Sequence, residues 1–165
     1  MIVIALGANL PSAAGPPEKT LRAALSVLSD AGIGIVSRSS FYRCPAWPDP
    51  SDPPFVNAVA ALSTELSPLD LLNLLHAVET SFGRRRSDDA KSKNAPRTLD
   101  LDLIDYDGRV QPGAPALPHP RMAGRSFVLV PLQELVPDWR HPVSGKSISD
   151  LITALGDEAE IPQAL

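Results

Sequence analysis

This chain has almost no cysteine and no excess of positive charge, and both shortages narrow what it can be. Cys44 is the only cysteine among 165 residues, so no internal disulfide can form, and a reducing compartment suits the chain. Its 15 lysines and arginines face 19 aspartates and glutamates, which gives a net charge of −4. Proteins that bind long nucleic acids neutralise many phosphates with positive side chains, so we expect no nucleic-acid partner.

Long hydrophobic runs are also missing. No apolar run approaches the ~20 residues that cross a bilayer, and the short apolar start at residues 2–6 has no basic region before it. We therefore expect no membrane partner and a cytoplasmic location. The length favours one domain over residues 1–165, and we expect a monomer.

The glycine-rich motifs that cradle phosphates are absent as well. No G-x-G-x-x-G is present, and Gly145-Lys146-Ser147 resembles the end of a P-loop but has Arg140 where the earlier glycine is required. We interpret these three residues as a turn followed by a helix cap. Any phosphate must therefore be bound by side chains and metal ions.

Apolar periodicity predicts a chain of alternating strands and helices. The predicted strands cover residues 2–6, 33–43, 55–64, 97–106 and 126–130, and the predicted helices cover 18–28, 68–82 and 148–155. Proline is abundant, with 18 residues, and we expect long proline-rich loops such as 44–54. The order strand-helix-strand-strand-helix-strand is that of the ferredoxin-like α+β sandwich, a mainly antiparallel sheet with helices packed on one face.

The most informative segment alternates leucine and aspartate. In a strand of period two, Leu99, Leu101 and Leu103 face one side of the sheet while Asp100 and Asp102 face the other. One interpretation is a solvent-exposed face that carries charge. The other is a site for a hard divalent cation, because Mg²⁺ prefers one or two carboxylates together with phosphates and water.

A cluster of six positive charges leads into this segment, formed by Arg84, Arg85, Arg86, Lys91, Lys93 and Arg97. A solvated loop is one explanation. Its position next to the two aspartates also suits a triphosphate, whose charge needs both metal ions and cationic side chains. Arginine is apt for this role because its planar fork holds phosphate oxygens in a bidentate way.

Two further polar residues stand out because of their neighbours. Asn57 lies in an otherwise apolar strand, where a buried amide either bonds to nearby backbone or faces a ligand. His119 lies in a proline-rich turn near Arg121 and Arg125, where it is either a structural hydrogen-bonding residue or a phosphate contact. Nearby ring-bearing residues fit either a flat pocket or the core: Phe41, Tyr42, Pro45, Trp47 and Phe55.

These residues, taken in order, resemble the motifs of one enzyme family over nearly the whole chain. The matching segments are Ile4–Leu10, Ser39–Arg43, Phe55–Ala58, Glu79 with Gly83-Arg84 and Arg86, Pro96–Asp102, Leu117–Arg121 and Arg125–Leu129. The family is that of the 6-hydroxymethyl-7,8-dihydropterin pyrophosphokinases, and its most specific motif is the one from Pro96 to Asp102.

The resemblance implies a ferredoxin-like core and an activity in folate biosynthesis. The implied reaction transfers the β,γ-pyrophosphoryl group of ATP to the hydroxymethyl oxygen of the pterin and releases AMP. Asp100 and Asp102 match the ligands of two Mg²⁺ ions. Arg84 and Arg97 match loop arginines that contact the phosphates and close over the site.

The resemblance also assigns residues to the two substrates. Asn57 matches the residue that reads the pterin edge, and Phe55 and Phe127 match the pair that stacks on its ring. The residues aligned with a loop that touches the pterin are Cys44, Pro45 and Trp47. The residues aligned with the nucleotide side are His76, Glu79, Arg86, His119, Arg121 and Arg125.

Two features depart from the family pattern. Asn94 stands where the family usually has tryptophan, and the loop from Arg84 to Arg97 is a few residues longer. The loop is polar, with little to anchor it, so we expect it to be mobile without ligands and to close when they bind.

Two other functions compete with a pyrophosphokinase. One is a non-catalytic ferredoxin-like domain that binds a pterin, a nucleotide or RNA. The acidic charge argues against RNA, and the intact Asp-x-Asp argues against an inactive enzyme. The other is a glycosyltransferase, in which Asp-x-Asp binds metal with nucleotide sugars; the short chain and the missing βαβ nucleotide fold argue against it.

Overall fold

The computed structural model describes residues 1–46, 49–84, 96–156 and 159–165. In chain order, its strands and helices are β1 (Ile2–Ala8), α1 (Pro17–Asp30), β2 (Gly34–Arg38), β3 (Tyr42–Cys44), β4 (Phe55–Ser63), α2 (Pro68–Ser81), β5 (Asp100–Tyr106), α3 (Ser126–Leu135), α4 (Ile148–Ala154) and β6 (Gln163–Ala164). None of the helices in these ranges is long and apolar enough to cross a membrane.

The strands form one sheet in which every strand pair is antiparallel. The order across the sheet is β5-β1-β4-β3-β6, and β2 also pairs with β4. The first strand therefore lies between β4 and β5; α1 connects β1 to β2, and α2 connects β4 to β5. This is the ferredoxin-like arrangement, so the predicted fold class is confirmed.

The register of the three central strands brings distant residues side by side. Gly7 of β1 lies opposite Asn57 of β4 on one side and Asp100 of β5 on the other. Two residues earlier in β1, Ala5 lies opposite Asp102. Because opposite residues project from the same face of a sheet, the amide and both carboxylates share one face.

The other face of the sheet packs against α1 and α2. Ile4 and Leu6 of β1 lie in one buried cluster with Leu101 of β5, Leu21 of α1 and Leu75 of α2. The leucine side of the alternating segment is therefore core, as the period of two predicts.

The sequence sets both ends of α2. The Ser67 hydroxyl accepts a hydrogen bond from the backbone N–H three residues later, and Pro68 occupies the first turn. At the other end, Gly83 has a φ of +83°, a left-handed conformation that glycine adopts without steric cost. These ends place Glu79 and Arg84 beside β5.

A second layer of helices covers part of the face that carries the polar residues. Val3 of β1, Val59 of β4 and Ile104 of β5 are buried in a cluster with α3, α4 and Trp139. The expectation of helices on one face only is therefore wrong. The sequence does contain a signal for this layer, because β1 is apolar along its whole length and not only at alternate positions.

The segment predicted as a strand at 126–130 is the first half of α3, so that prediction is wrong. Phe127, Val128 and Val130 favour a strand, but a run of five residues does not separate a buried strand from a buried helix. The helix forms because Val128, Leu129 and Leu132 reach the second cluster together at helical spacing. Packing here overrides local propensity.

The strand predicted at 33–43 is two strands, β2 and β3, which both pair with β4. The break falls at Ser39 and Ser40. The Ser39 hydroxyl accepts a hydrogen bond from the Val59 N–H at 3.0 Å, and the Ser40 N–H donates to the Glu134 carboxylate at 2.8 Å. These bonds replace regular pairing at the kink.

The remaining predicted elements are confirmed, with bounds that differ by at most three residues. The interpretation of Gly145 to Ser147 is also confirmed. Gly145 has a φ of +67° in a turn, and Ser147 forms a capping box with Asp150 at the start of α4.

Candidate active site

The floor of the site is formed by Asn57, Gly7 and Asp100, which lie side by side on the adjacent strands β4, β1 and β5. A Cβ atom built on Gly7 would lie 2.9 Å from Asn57 Oδ1, and 3.9 Å from both Asp100 Cβ and Phe55 Cδ1. The missing side chain therefore leaves a small space between an amide, a carboxylate and a ring. Sequence reasoning gave Gly7 no role, although a glycine inside a buried strand signals a close approach.

Asp100 is held between two arginines. Arg84 Nη1 lies 2.5 Å from Asp100 Oδ1, and Arg97 Nη1 lies 2.8 Å from Asp100 Oδ2. All three side chains are at most 24% exposed, so these charge-assisted bonds lie partly out of water. The structure thus brings together three of the predicted catalytic residues.

Glu79 anchors this arrangement from beneath. Its carboxylate is 1% exposed, and Oε1 accepts a hydrogen bond from the backbone N–H of Leu101 at 2.8 Å. The same oxygen lies 3.8 Å from Arg84 Nη1, which also donates to the carbonyl of Leu99 at 2.8 Å. Glu79 therefore joins the end of α2 to β5 and fixes the Arg84 guanidinium beside Asp100.

Asp102 has a second set of partners. Arg125 Nη1 lies 2.8 Å from Asp102 Oδ2, and His119 Nε2 lies 3.8 Å from the same oxygen. Burial lowers the pKa of His119 below its ordinary value, and the positive charges of Arg125 and Arg121 lower it further, against the opposing effect of Asp102. The ring is therefore neutral near pH 7. The Arg121 side chain is exposed, two residues beyond His119.

Two of these arginines also cover aromatic rings. The guanidinium carbon of Arg97 lies 5.5 Å from the centre of the Phe55 ring, and that of Arg125 lies 5.4 Å from the centre of the Phe127 ring. Such cation–π contacts orient both partners. Each arginine thus joins one carboxylate to one phenyl ring, and the predicted ring pair borders the predicted metal ligands.

Asn57 and Cys44 are neighbours on the same face. Asn57 Nδ2 donates a hydrogen bond to Cys44 Sγ at 3.0 Å, and the two residues are 4% and 7% exposed. Burial raises the pKa of the Cys44 thiol to about 11, despite the opposing effect of the Asn57 bond. The thiol is therefore protonated at neutral pH.

Asn9 links the segments on either side of the site, a role that sequence reasoning did not find. Its Nδ2 donates to the carbonyl of Pro53 at 3.0 Å, and its Oδ1 accepts from the backbone N–H of Arg97 at 2.7 Å. The side chain is 3% exposed. A buried asparagine directly after a strand was the only sequence signal for this link.

A cavity of about 250 Å³ opens beside Asp102. Its other lining residues are Leu72, Leu103, Pro115, Ala116, His119 and Pro120. Mostly apolar walls next to a carboxylate suit a planar base whose phosphates extend toward charged residues.

The other predicted residues have different places. Pro45 lines a separate surface pocket of about 360 Å³ at the edge formed by β3 and β6, together with Arg43, Pro54, Glu160, Ile161 and Gln163. His76 lies on α2, one turn before Glu79. Trp47, Arg86 and Asn94, with most of the long polar loop, lie outside the described residues.

The donor set suits Mg²⁺ better than a metal held entirely by protein. In the described part of the chain, no group of three or more histidine, cysteine, aspartate or glutamate side chains could hold a metal ion. Asp100 and Asp102 supply two carboxylates on one sheet face. Mg²⁺ is commonly bound by one or two carboxylates, with substrate phosphates and water completing its six positions.

Comparison with known proteins places the chain in a family. The family model of 7,8-dihydro-6-hydroxymethylpterin-pyrophosphokinase (HPPK) matches residues 3–137. A 2-amino-4-hydroxy-6-hydroxymethyldihydropteridine pyrophosphokinase from Synechocystis is 43% identical over 164 residues, which cover 98% of this chain and 80% of that protein. The enzyme of the same name from Haemophilus influenzae is 38% identical over 160 residues, covering 96% and 94%.

A solved structure agrees at the level of the fold. The crystal structure of Plasmodium falciparum HPPK-DHPS matches with a TM-score of 0.68 at 14% identity, over 93% of this chain and 40% of that chain. The resemblance read from the motifs is thus confirmed by whole-chain similarity. The chain belongs to the 7,8-dihydro-6-hydroxymethylpterin-pyrophosphokinase family.

Proposed function

We propose that this chain transfers the β,γ-pyrophosphoryl group of ATP to the hydroxymethyl oxygen of 6-hydroxymethyl-7,8-dihydropterin, releasing AMP, in folate biosynthesis. The observation that carries the proposal is the row of Asn57, Gly7 and Asp100 on three adjacent strands. It sets an amide that can read a pterin beside a carboxylate that can hold the metal of a triphosphate. The names of the family and of its relatives support the same reaction.

The pterin side of the site is built from Asn57, Gly7 and two rings. Within the described part of the chain the Asn57 side chain bonds to Cys44, which leaves its oxygen and one N–H for a ligand. Without a side chain on Gly7, the Asn57 oxygen can lie close against the backbone of β1, on the face proposed for the pterin. Phe55 and Phe127 stack on its faces once their arginines turn to the phosphates.

The nucleotide side is built from Asp100, Asp102 and the cavity beside them. The two carboxylates would hold two Mg²⁺ ions together with the triphosphate. Bound there, Mg²⁺ neutralises phosphate charge and polarises the phosphorus under attack. The adenine occupies the cavity of about 250 Å³ next to Asp102.

The arginines change partners when the ligands bind. Arg84, Arg97 and Arg125 bond to the two aspartates in the structure described here. The forked N–H groups of these arginines are suited to grip phosphate oxygens when the triphosphate binds.

His119 acts as a neutral donor. Its Nδ1 accepts a hydrogen bond from the Arg121 N–H at 3.2 Å, so the ring proton of the neutral histidine is on Nε2. That Nε2–H points toward the Asp102 side of the site, where a phosphate oxygen can accept it.

The reaction itself needs positioning and charge neutralisation, and no nucleophilic side chain. The pterin hydroxymethyl oxygen bonds to the β-phosphorus as the bond from that phosphorus to the bridging oxygen of AMP breaks. The hydroxyl proton leaves to solvent. The protein supplies the in-line arrangement, because amide and carboxylates belong to one rigid sheet.

The experiment is to mix the protein with ATP, Mg²⁺ and 6-hydroxymethyl-7,8-dihydropterin, and to measure AMP and the pterin diphosphate. Equal amounts of both products are expected, with neither formed when the pterin is omitted. Binding of both ligands without AMP would instead identify a non-catalytic domain. A single domain, a monomeric state and a cytoplasmic location stay predictions.

A further inference from the structure

The Asn57 amide lies between Cys44 and Gly7. On one side, Nδ2 donates to Cys44 Sγ at 3.0 Å, the single side-chain hydrogen bond of Asn57 among the described residues. On the other side, Oδ1 lies where a Cβ on Gly7 would be 2.9 Å away. The amide is 4% exposed, so its hydrogen-bonding neighbours within the protein bear on how it is oriented.

Orientation matters because the two ends of an amide have opposite hydrogen-bonding character. A flip of the side chain exchanges an acceptor for a pair of donors. A ligand that pairs with the oxygen and the remaining N–H must present one donor and one acceptor in matching order. A flipped amide would repel the same ligand at both positions.

We propose that Cys44 is a positioning residue for pterin recognition, whose sulfur holds the Asn57 amide with its oxygen over Gly7 and one N–H free for the ligand. This inference rests on the proposed function, because it presumes that Asn57 reads the pterin.

The backbone places the sulfur accurately. Cys44 of β3 pairs with Phe55 of β4, and Phe55 lies two residues before Asn57 on β4. Cys44 is only 7% exposed, so the surrounding packing holds its side chain in addition to the strand pairing. Cys44 is also the last residue of β3, so it connects the amide to the proline-rich loop that follows.

The test compares substitutions that differ in their ability to accept a hydrogen bond. Cys44→Ala and Cys44→Val cannot accept one, and valine also fills the volume and favours a strand. Cys44→Ser keeps an acceptor. Pterin dissociation constants are measured by calorimetry with Mg²⁺ and a non-hydrolysable ATP analogue bound, and kcat and KM are measured by AMP release.

Alanine and valine are expected to raise the pterin dissociation constant and KM about three- to tenfold, the scale of one hydrogen bond. The expected change in kcat and in the dissociation constant of the ATP analogue is less than twofold. Serine is expected to restore pterin binding to within about twofold of the wild type. Arg43→Ala, an exposed neighbour in β3, serves as the control for general disturbance of the strand.

Three outcomes overturn the inference. The first is pterin binding in Cys44→Val within twofold of the wild type. The second is a loss in Cys44→Ser as large as in Cys44→Val, and the third is an equal loss for the ATP analogue. Asn57→Ala is measured in parallel, to separate the role of Cys44 from the proposed function. If Asn57→Ala binds the pterin weakly while the Cys44 variants bind it normally, only the role of Cys44 is rejected. If the wild-type protein does not bind the pterin, the proposed function and the role of Cys44 are both rejected.

Discussion

Single atoms decide what the site admits. The floor at Gly7 is shaped by the lack of a side chain, and a methyl group there would meet the oxygen of Asn57 at 2.9 Å. Arg97 and Arg125 each contact a carboxylate and a ring at once, so a change at one residue alters the surroundings of its partners.

Gly7→Ala is expected to weaken pterin binding about tenfold or more, because the new methyl would displace the Asn57 amide that we propose as the pterin contact. The binding of an ATP analogue with Mg²⁺ changes little. Calorimetry with each ligand separately measures both effects. Gly124→Ala is the matched control, since a Cβ there has no atom within 4 Å. Normal pterin binding in Gly7→Ala would contradict the placement of the pterin over this floor.

Asp100→Asn and Asp102→Asn are each expected to lower kcat about 10³-fold, as when charge stabilisation of the transition state is removed. Both variants keep the shape of the side chain, so the fold should persist in circular dichroism. Asp107→Asn is the matched control, because Asp107 is exposed and pairs with the N-terminal amine, away from the site. Turnover within tenfold of the wild type in both site variants would refute the metal assignment.

The site residues differ in how far the sequence could predict them. Asp100 and Asp102 are readable because the alternation that sets their face is local to one strand. Asn9 is not readable, because its partners lie 44 and 88 residues away along the chain. Gly7 is visible only once the register of β1 with β4 is known.

The elements differ in the same way. The period and caps of α2 predicted its bounds almost to the residue, since Ser67, Pro68 and Gly83 act locally. The helix α3 could not be predicted from its own apolar residues, because what makes it a helix is the cluster on the second face of the sheet. The kink between β2 and β3 depends on Glu134, which lies in α3 and far along the chain.

Glu134 ties α3 to that kink and gives stability a defined pH range. Its carboxylate accepts from Ser40 and, at 2.7 Å, from the Tyr42 hydroxyl. Burial alone would raise the pKa of Glu134, but the bonds from Tyr42 and Ser40 lower it below its ordinary value of 4.5. Burial, together with the bond to Glu134, raises the pKa of Tyr42 from 10.0 to about 12.

The sign of each shift gives the expected result. A lowered carboxyl pKa stabilises the fold above pH 4.5, and this contribution is lost as the pH falls through the lowered pKa. A raised tyrosine pKa stabilises below pH 10, and this is lost as the pH rises toward 12. Glu134→Gln should therefore reduce the free energy of unfolding most between these limits. Urea denaturation at several pH values measures the free energy of unfolding, with Glu65→Gln as control. A loss of stability that does not depend on pH would contradict this role of Glu134.

For the molecule as a whole, the charges of the described site balance one another. Three arginines face Asp100, Asp102 and the buried Glu79, so positive and negative side chains are equal in number. Pairing with arginine offsets the repulsion between the two neighbouring carboxylates. The protein therefore does not need a metal ion at this site in order to fold.

A chelator is therefore expected to leave the melting temperature of the protein unchanged, and Mg²⁺ alone should raise it little, because arginines already occupy the carboxylates. Mg²⁺ with an ATP analogue should raise stability by about 2.7 kcal/mol at a hundred times its dissociation constant. Scanning calorimetry under the three conditions measures this. A large fall with chelator would mean that the ions are structural.

The spacing between strands sets the distance between the two proposed substrate contacts, Asn57 and Asp100. Asn57 and Asp100 flank Gly7 on either side, so their backbones lie two strand spacings apart, about 9.5 Å. In the proposed function, Asn57 would hold the pterin edge and Asp100 the metal-bound phosphates, so the hydroxymethyl group between them would be the part of the pterin within reach of the phosphates. Regiochemistry is thus a property of a hydrogen-bonded sheet that cannot stretch. Loop substitutions will change how often the reaction occurs, but only a change of register in β1 could change which oxygen receives the pyrophosphate.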